Sequence, residues 1–324
     1  MKLLVTGGAG FIGANFIAAA LAETDDEILC IDALTYAGNR QWLQQAEKSG
    51  RVRFFHRNIC DREWMDRFFK EERPEAVIHF AAETHVDRSI TGPALFLETN
   101  VMGTGVLLDE CVRYGIGRFH QVSTDEVYGD LPLSGGIPFR EDDRLAPSSP
   151  YGASKAAADL LVLSYRRTYG LPVTISRCSN NYGPFQFQEK LIPFAVHCLL
   201  RGRPVPLYGD GLYVRDWLYV KDHCEALLRI LQRGKEGEIY NICGHCEMNN
   251  RAVVGEIAAL LHCKGPCFQL APDRPGHDRR YAMDTEKIER ELSWTAQTPF
   301  EKGLARTVHF YKTYFTTGEV QYDL

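Results

Sequence analysis

Two short runs hold the residues best suited to chemistry. Tyr151-Gly152-Ala153-Ser154-Lys155 sets a tyrosine and a lysine four positions apart, the spacing that puts both on one helical face and aims them at one cleft. A phenol with an ordinary pKa of about 10 is a poor base at neutral pH. An ammonium beside it favours the phenolate and draws the group towards general-base work. The same pair also occurs on solvated helix faces, so its meaning depends on where the helix lies. The second run, Thr124-Asp125-Glu126-Val127-Tyr128-Gly129, offers a hydroxyl that can donate to a substrate oxygen and two adjacent acids. Two carboxyls beside one bound molecule can be driven apart in pKa, one kept protonated as an acid and the other ionised as a base. In a surface loop they would be polar residues and nothing more.

The elements that must position these runs follow from hydrophobic patterning. Short apolar runs at 2–6, 28–32, 52–59, 76–81 and 119–124 alternate with helical patterns at 11–22 and 101–114. Strand, helix, strand order implies right-handed crossovers and a parallel sheet. The fold class expected is therefore α/β, a doubly wound parallel sheet. Thr124, Asp125 and Glu126 then fall at its carboxyl edge, where such sheets hold their ligands. The helix carrying Tyr151 and Lys155 is introduced by Ser148-Ser149-Pro150 and stopped by Gly170 and Pro172. After an apolar run at 173–179, Gly and Pro punctuate the chain more densely, and a domain change is expected near residue 178. Residues 1–177 plus about 214–242 are assigned to a Rossmann domain, and 178–213 plus about 243–324 to a smaller α/β substrate-binding domain.

A dinucleotide fingerprint opens the chain. Gly8-Ala9-Gly10-Phe11-Ile12-Gly13 fits GxGxxG directly after the first strand and at the start of the first helix. Glycines there permit a tight turn and close backbone approach to a pyrophosphate, whose charge suits a helix N-terminus. Asp32 ends the second strand 19 residues past Gly13, where an acid bonds ribose hydroxyls and repels an added phosphate. The expected cofactor is NAD rather than NADP, and its cationic nicotinamide would join Lys155 in favouring the Tyr151 phenolate. Gly7, Gly10 and Gly13 also satisfy GxxGxxG, the spacing of short-chain dehydrogenases.

Composition narrows the partners. The chain has 324 residues, 45% hydrophobic and 24% charged, with 37 Lys and Arg against 42 Asp and Glu for a net charge of −5. That balance excludes disordered and fibrous classes and disfavours nucleic acid or an anionic membrane. No apolar stretch approaches the ~20 residues of a membrane span, and the start of the chain does not read as a signal peptide, so a cytoplasmic protein is expected. Ten cysteines are then expected to be mostly reduced thiols. Cys243, Cys246, Cys263 and Cys267 approach a zinc pattern, and Cys243-Gly244-His245-Cys246 a redox one. A helix expected at 252–262 would separate the two pairs by about 16 Å at 1.5 Å per residue, awkward for one tetrahedral site. Packing is the expected role, with no metal.

With these motifs in hand, the chain resembles the nucleotide-sugar 4,6-dehydratases of the extended short-chain dehydrogenase/reductase family. Further segments carry the likeness: Ala81-Ala82-Glu83-Thr84-His85-Val86-Asp87-Arg88-Ser89, Asn180-Asn181-Tyr182-Gly183-Pro184, Glu189-Lys190-Leu191-Ile192-Pro193, Val214-Arg215-Asp216-Trp217 and Arg274-Pro275-Gly276-His277-Asp278-Arg279-Arg280-Tyr281. The Asp125-Glu126 pair discriminates, because related epimerases and decarboxylases share the Tyr/Lys pair but typically lack both acids. The resemblance implies that Tyr151, aided by Thr124 and Lys155, takes the proton of a sugar 4-hydroxyl while the carbon 4 hydride passes to NAD. Glu126 would then remove the carbon 5 proton and Asp125 protonate the departing 6-hydroxyl. The hydride would return to carbon 6, leaving a 4-keto-6-deoxy sugar.

The same resemblance places the cofactor on Gly7, Gly10, Phe11, Ile12, Gly13, Asp32, Leu34, Thr35, Asn58, Ile59, Ala81, Ala82, Thr99, Tyr151, Lys155 and Asn181. It places Thr84 and Asn180 at the sugar, and Lys190, Leu191, Pro206, Tyr208, Arg215, Asn250, Arg274 and His277 around the nucleotide diphosphate. Cysteines near Asn250 depart from the family pattern. A homodimer is implied, through the helices at 101–114 and 152–169. The base, thymine or uracil, and the sugar 2-substituent stay open at this stage, as does a non-catalytic NAD-binding role.

Overall fold

The computed structural model describes residues 1–320, so the last four residues of the expected smaller domain lie outside the described residues. Six early strands, β1 (Lys2–Thr6), β2 (Glu27–Asp32), β3 (Val52–His56), β4 (Ala76–His79), β5 (Arg118–Thr124) and β6 (Val173–Cys178), are joined by a late one, Ile239–Ile242, in a seven-stranded sheet. Every pairing in it is parallel. Three further strands precede the late one: β7 (Asn180–Tyr182), β8 (Val205–Tyr208) and β9 (Val214–Tyr219). Ile239–Ile242 is thus β10, followed by β11 (Glu247–Asn249) and β12 (Phe268–Ala271).

The order across the main sheet is β3-β2-β1-β4-β5-β6-β10. The direction of winding reverses between β1 and β4, which opens a crevice at their carboxyl ends. Strands covered on both faces need apolar residues at nearly every position, and they have them. Leu3, Val5, Ile28 and Cys30 pack into one fully buried cluster, while Leu4, Leu29 and Ile31 point the other way into a second.

The doubly wound sheet agrees with the expectation, and the differences lie at element ends. β3 stops at His56 and β4 at His79, short of the runs read to 59 and 81. Beyond the sheet edge Asn58, Ile59, Ala81 and Ala82 turn into the walls of a cavity. The expected helix from 101 starts as regular α structure only at Thr104, because Leu97–Gly103 forms a wider π-helical turn. Such turns cluster at functional sites.

The remaining strands form small sheets. β9 pairs parallel with β7 and antiparallel with β11, and β12 pairs parallel with β8. Within 214–242, β9 therefore sits in a small sheet, whereas the helix Val220–Arg233 packs on the helix Phe11–Glu23 and leads into β10. Among the described residues no helix is long and apolar enough to cross a membrane. All ten cysteines are free thiols. Cys243 is buried with its Sγ 3.6 Å from the Met283 carbonyl, and a helix, Asn250–Leu260, runs between the two cysteine pairs.

Candidate active site

A cavity of about 350 Å³ lies at the carboxyl edge of the sheet, and its floor depends on glycine. Gly7 has φ +71°, and a Cβ there would lie 2.5 Å from the Ala81 nitrogen. A Cβ on Gly13 would lie 2.3 Å from the Gly7 carbonyl oxygen. Only glycine meets both demands. Gly10 leads into the helix Phe11–Glu23 without a side-chain cap, which leaves first-turn amides for an anion. Across from them, Asp32 accepts from the amides of Ala9 at 2.9 Å and Leu34 at 2.7 Å. Burial raises its carboxyl, and those two donors oppose the shift.

Uncapped amides facing a strand-end carboxylate are the donor and acceptor set a pyrophosphate and its ribose require, so the residues present fit NAD. Gly7, Gly10, Phe11, Ile12, Gly13, Asp32, Thr35, Asn58, Ile59, Ala81, Ala82, Thr99, Tyr151, Lys155 and Asn181 all line this cavity. Leu34 does not. Its backbone, at φ +48°, braces Asp32 instead.

The acid-base residues line the same cavity. β5 ends in a single tight turn, Asp125–Val127, whose cap is Thr124. The Thr124 Oγ1 accepts from the Glu126 amide at 3.3 Å and donates to Asp125 Oδ1 at 3.1 Å. Burial foremost, then the neighbouring Glu126 charge, push the Asp125 carboxyl up to about 8. Burial also raises Glu126, but Arg215, Arg274 and Lys190 all hold it down. Adjacent acids thus meet different surroundings.

The helix Pro150–Tyr169 brings up the other pair, started by Ser149, whose Oγ accepts from the Gly152 amide at 3.0 Å, and by a proline in its first turn. Burial, then the Glu126 charge, hold the Tyr151 phenol well above the usual tyrosine range, with only a Thr124 hydrogen bond among the influences opposing them. The Lys155 ammonium donates to the Val122 carbonyl at 2.8 Å. Lysine alone does not outweigh burial, and the expected lowering of the phenol counts on the nicotinamide charge as well.

Thr84, Asn180 and Lys190 line the cavity as well, and the Asn180 Oδ1 is buried without a partner. Lys190 Nζ donates to the Thr84 carbonyl at 3.2 Å, and Leu191 opens the helix Leu191–Leu200. Arg215, Pro206, Tyr208, Asn250, Arg274 and His277 lie beyond the cavity lining. Arg215 donates to the carbonyls of Val214 at 2.7 Å and Asp278 at 2.9 Å. Arg274 pairs with Asp87 at 3.0 Å, and the Tyr208 hydroxyl donates to the same carboxylate at 2.9 Å. The His277 ring stacks on Tyr213 at 3.6 Å and meets Tyr208 edge-on at 5.9 Å. The Asn250 backbone N–H donates to the Tyr213 carbonyl at 3.2 Å. Pro206 stands two places before Tyr208 in β8, on the same exposed side. The structure thus gathers an aromatic and basic rim.

Several residues of the cavity escaped the sequence reading. Glu83 and Glu189 both line it, each one place from a residue singled out. Glu189 accepts from the Tyr36 hydroxyl at 3.0 Å and lies 3.5 Å from His85. Asn100, on the π-helical turn, clasps the Glu83 backbone at 2.8 and 3.0 Å and donates to Ser154 Oγ at 2.9 Å. Ser154 lies between Tyr151 and Lys155 in sequence, and that adjacency was its only signal.

Residues 4–307 match the family model described as GDP-mannose 4,6 dehydratase. A dTDP-glucose 4,6-dehydratase from Salmonella typhimurium is 49% identical over 96% of this chain and 92% of its own, and one from Escherichia coli K12 matches to the same extent. A dTDP-glucose 4,6-dehydratase from Streptomyces venezuelae, solved with NAD and dTDP bound, superposes with a TM-score of 0.93 at 48% identity, covering 96% of this chain and 97% of that one. A UDP-glucose 4-epimerase from Thermotoga maritima reaches a TM-score of 0.90 at 31% identity, covering 97% of this chain and 100% of that one, so the shared fold alone does not choose the reaction. Sequence identity and the paired acids together do: the chain belongs to the GDP-mannose 4,6-dehydratase family, on its dTDP-glucose 4,6-dehydratase branch.

Proposed function

We propose that this chain is an NAD-dependent lyase that converts dTDP-glucose to dTDP-4-keto-6-deoxyglucose. The carrying observation is that Thr124, Asp125, Glu126, Tyr151 and Lys155 share one cavity with the glycine fingerprint and Asp32. When bound, NAD supplies the oxidant for carbon 4 and the reductant for carbon 6. The chain supplies the proton transfers. Tyr151, hydrogen-bonded to Thr124, is the base for the sugar 4-hydroxyl, and Lys155 provides positive charge at the helix that carries it. A 4-ketone acidifies carbon 5. Glu126, which three cations favour as a carboxylate, takes that proton. Asp125, protonated near neutral pH, gives its own to the 6-hydroxyl, which leaves as water.

Lys190, Arg215 and Arg274 converge on Glu126 electrostatically and supply the charge a nucleotide diphosphate needs. The thymidine nucleotide in the Streptomyces relative supports dTDP over UDP for the base. The division into a Rossmann part and a sugar-binding part follows the separate sheets. A cytoplasmic homodimer completes the reading. Met102, on the π-helical turn leading into the first helix assigned to the interface, is 62% exposed, and Leu160, on the second, is 59% exposed.

The direct test is a panel of nucleotide hexoses assayed by mass spectrometry for loss of one water. Deuterium placed at carbon 4 of dTDP-glucose is expected at carbon 6 of the product. Complete washout into solvent, or turnover confined to UDP sugars, overturns this reading.

A further inference from the structure

A buried ion pair stands directly behind the acid-base residues. Asp159 is four positions beyond Lys155 on the helix Pro150–Tyr169, so Tyr151, Lys155 and Asp159 follow one another along one face. Arg177, from β6, binds Asp159 Oδ2 through Nε at 3.0 Å, and the two side chains are 2% and 0% exposed. The other carboxylate oxygen, Oδ1, is buried without a partner. Arg177 also accepts no freedom of its own. Its Nη1 donates to the Tyr128 hydroxyl at 2.8 Å and to the Glu141 carbonyl at 3.2 Å, and its guanidinium lies 4.8 Å from the centre of the Tyr128 ring. Tyr128 follows Asp125 and Glu126 by three and two residues, so the arginine ties the turn bearing both acids to the helix bearing Tyr151 and Lys155.

Isolated buried charges are costly, and such a pair is retained only where geometry compensates. We infer that Asp159, fixed by Arg177, is a positioning residue that keeps the buried Lys155 in its charged form, acting on the proton transfer at Tyr151 through that lysine. This rests on the reading of Tyr151 and Lys155 given above.

The groups around Lys155 leave Asp159 as its carboxylate. From its own helix come Tyr151 and Asp159. From β6 comes Cys178, with Arg177 standing against Asp159. From β4 comes His79, fully buried and bonded to Thr6 at 2.6 Å and Thr104 at 3.0 Å, which burial keeps neutral at physiological pH. From β5 comes the Val122 carbonyl. Burial lowers the Lys155 ammonium, and Asp159 is the leading influence that raises it again. Burial raises the Asp159 carboxyl in turn, and Arg177 and Lys155 oppose that shift.

The sign of the effect follows. Without the Asp159 charge, Lys155 loses its proton at lower pH, and the alkaline limb of the rate profile moves to lower pH. Without the Arg177 charge, burial pulls the Asp159 carboxyl towards its neutral form, Lys155 loses the carboxylate that holds its proton, and the same limb again moves to lower pH. The test is the pH profile of kcat for the NAD-loaded enzyme with dTDP-glucose, for wild type, Asp159→Asn and Arg177→Gln. Displacement of the alkaline limb to lower pH in both variants, each by about one pH unit, with KM little changed, is the expected result. A role in packing alone lowers Tm in both variants and leaves the limb where it was, and that outcome overturns the inference. Should Asp159→Asn not fold, an unmoved limb in Arg177→Gln overturns it alone. Absence of dehydration in the wild type is a different failure, that of the parent reading.

Discussion

Thr124 and Asp125 share a hydrogen bond of 3.1 Å at the end of β5, and the Asp125 oxygen outside that bond is buried with no partner. The native state therefore holds a proton on this carboxyl up to about pH 8, whereas the unfolded chain releases it near the ordinary value of about 4. The stabilising contribution is complete below the unfolded value and is lost as pH rises through the native one. Asn lacks that dependence. In Asp125→Asn the Tm, measured by differential scanning fluorimetry, is expected to rise relative to wild type as pH increases from about 5 to 8, while product formation falls.

Glu126→Gln separates two steps. Loss of the base is expected to slow water elimination by about 10²–10⁴-fold. The Glu126 charge is also the second influence holding the Tyr151 phenol up, so its removal lets Tyr151 ionise at lower pH. The acid limb of the first oxidation, followed as cofactor absorbance in a single turnover, is expected to move down. A variant that eliminates at the wild-type rate removes Glu126 from its role.

Gly7→Ala tests the cavity floor. The new methyl meets the Ala81 backbone, and the residue must hold φ +71°. A cost of about 1–3 kcal/mol from the backbone strain is expected, together with loss of bound NAD. Calorimetry and the cofactor content of the purified protein measure these separately.

For the interface, Met102→Lys combined with Leu160→Glu places charge on two exposed apolar positions of the helices assigned to dimer contact. Multi-angle light scattering is expected to report a monomer with an unchanged circular dichroism spectrum. A dimer that persists moves the interface elsewhere.

Much of this architecture was legible because backbone demands leave marks on residue type. Gly7, Gly13 and Asp32 stand where a turn, a close approach and a strand end require them, and each can be read without coordinates. Tyr151 and Lys155 were legible for a related reason, since helical spacing fixes which residues share a face. What spacing does not carry is the dielectric environment. Spacing predicts that Lys155, together with a nicotinamide charge, draws the Tyr151 proton away, but the burial that opposes this depends on neighbours far along the chain.

Asn100 was invisible for a further reason. Its contacts with Glu83 and Ser154 depend on a π-helical turn, and the local pattern at 101–114 looks like ordinary helix. Arg177 and Asp159 were hidden similarly, as a charged residue in a strand and another on a helix. Only the packing of the helix Pro150–Tyr169 against β6 shows that they meet.

β10 reaches the main sheet only after the chain has built β7, β8 and β9 elsewhere, and then leaves again for β11. The polypeptide crosses from one part to the other several times. A chimera that borrows sugar recognition from a homologue must transplant at least two separate stretches at once, and cutting at one junction strips the edge of β6. Point replacement inside the loops therefore breaks fewer strand pairings than exchange of whole modules.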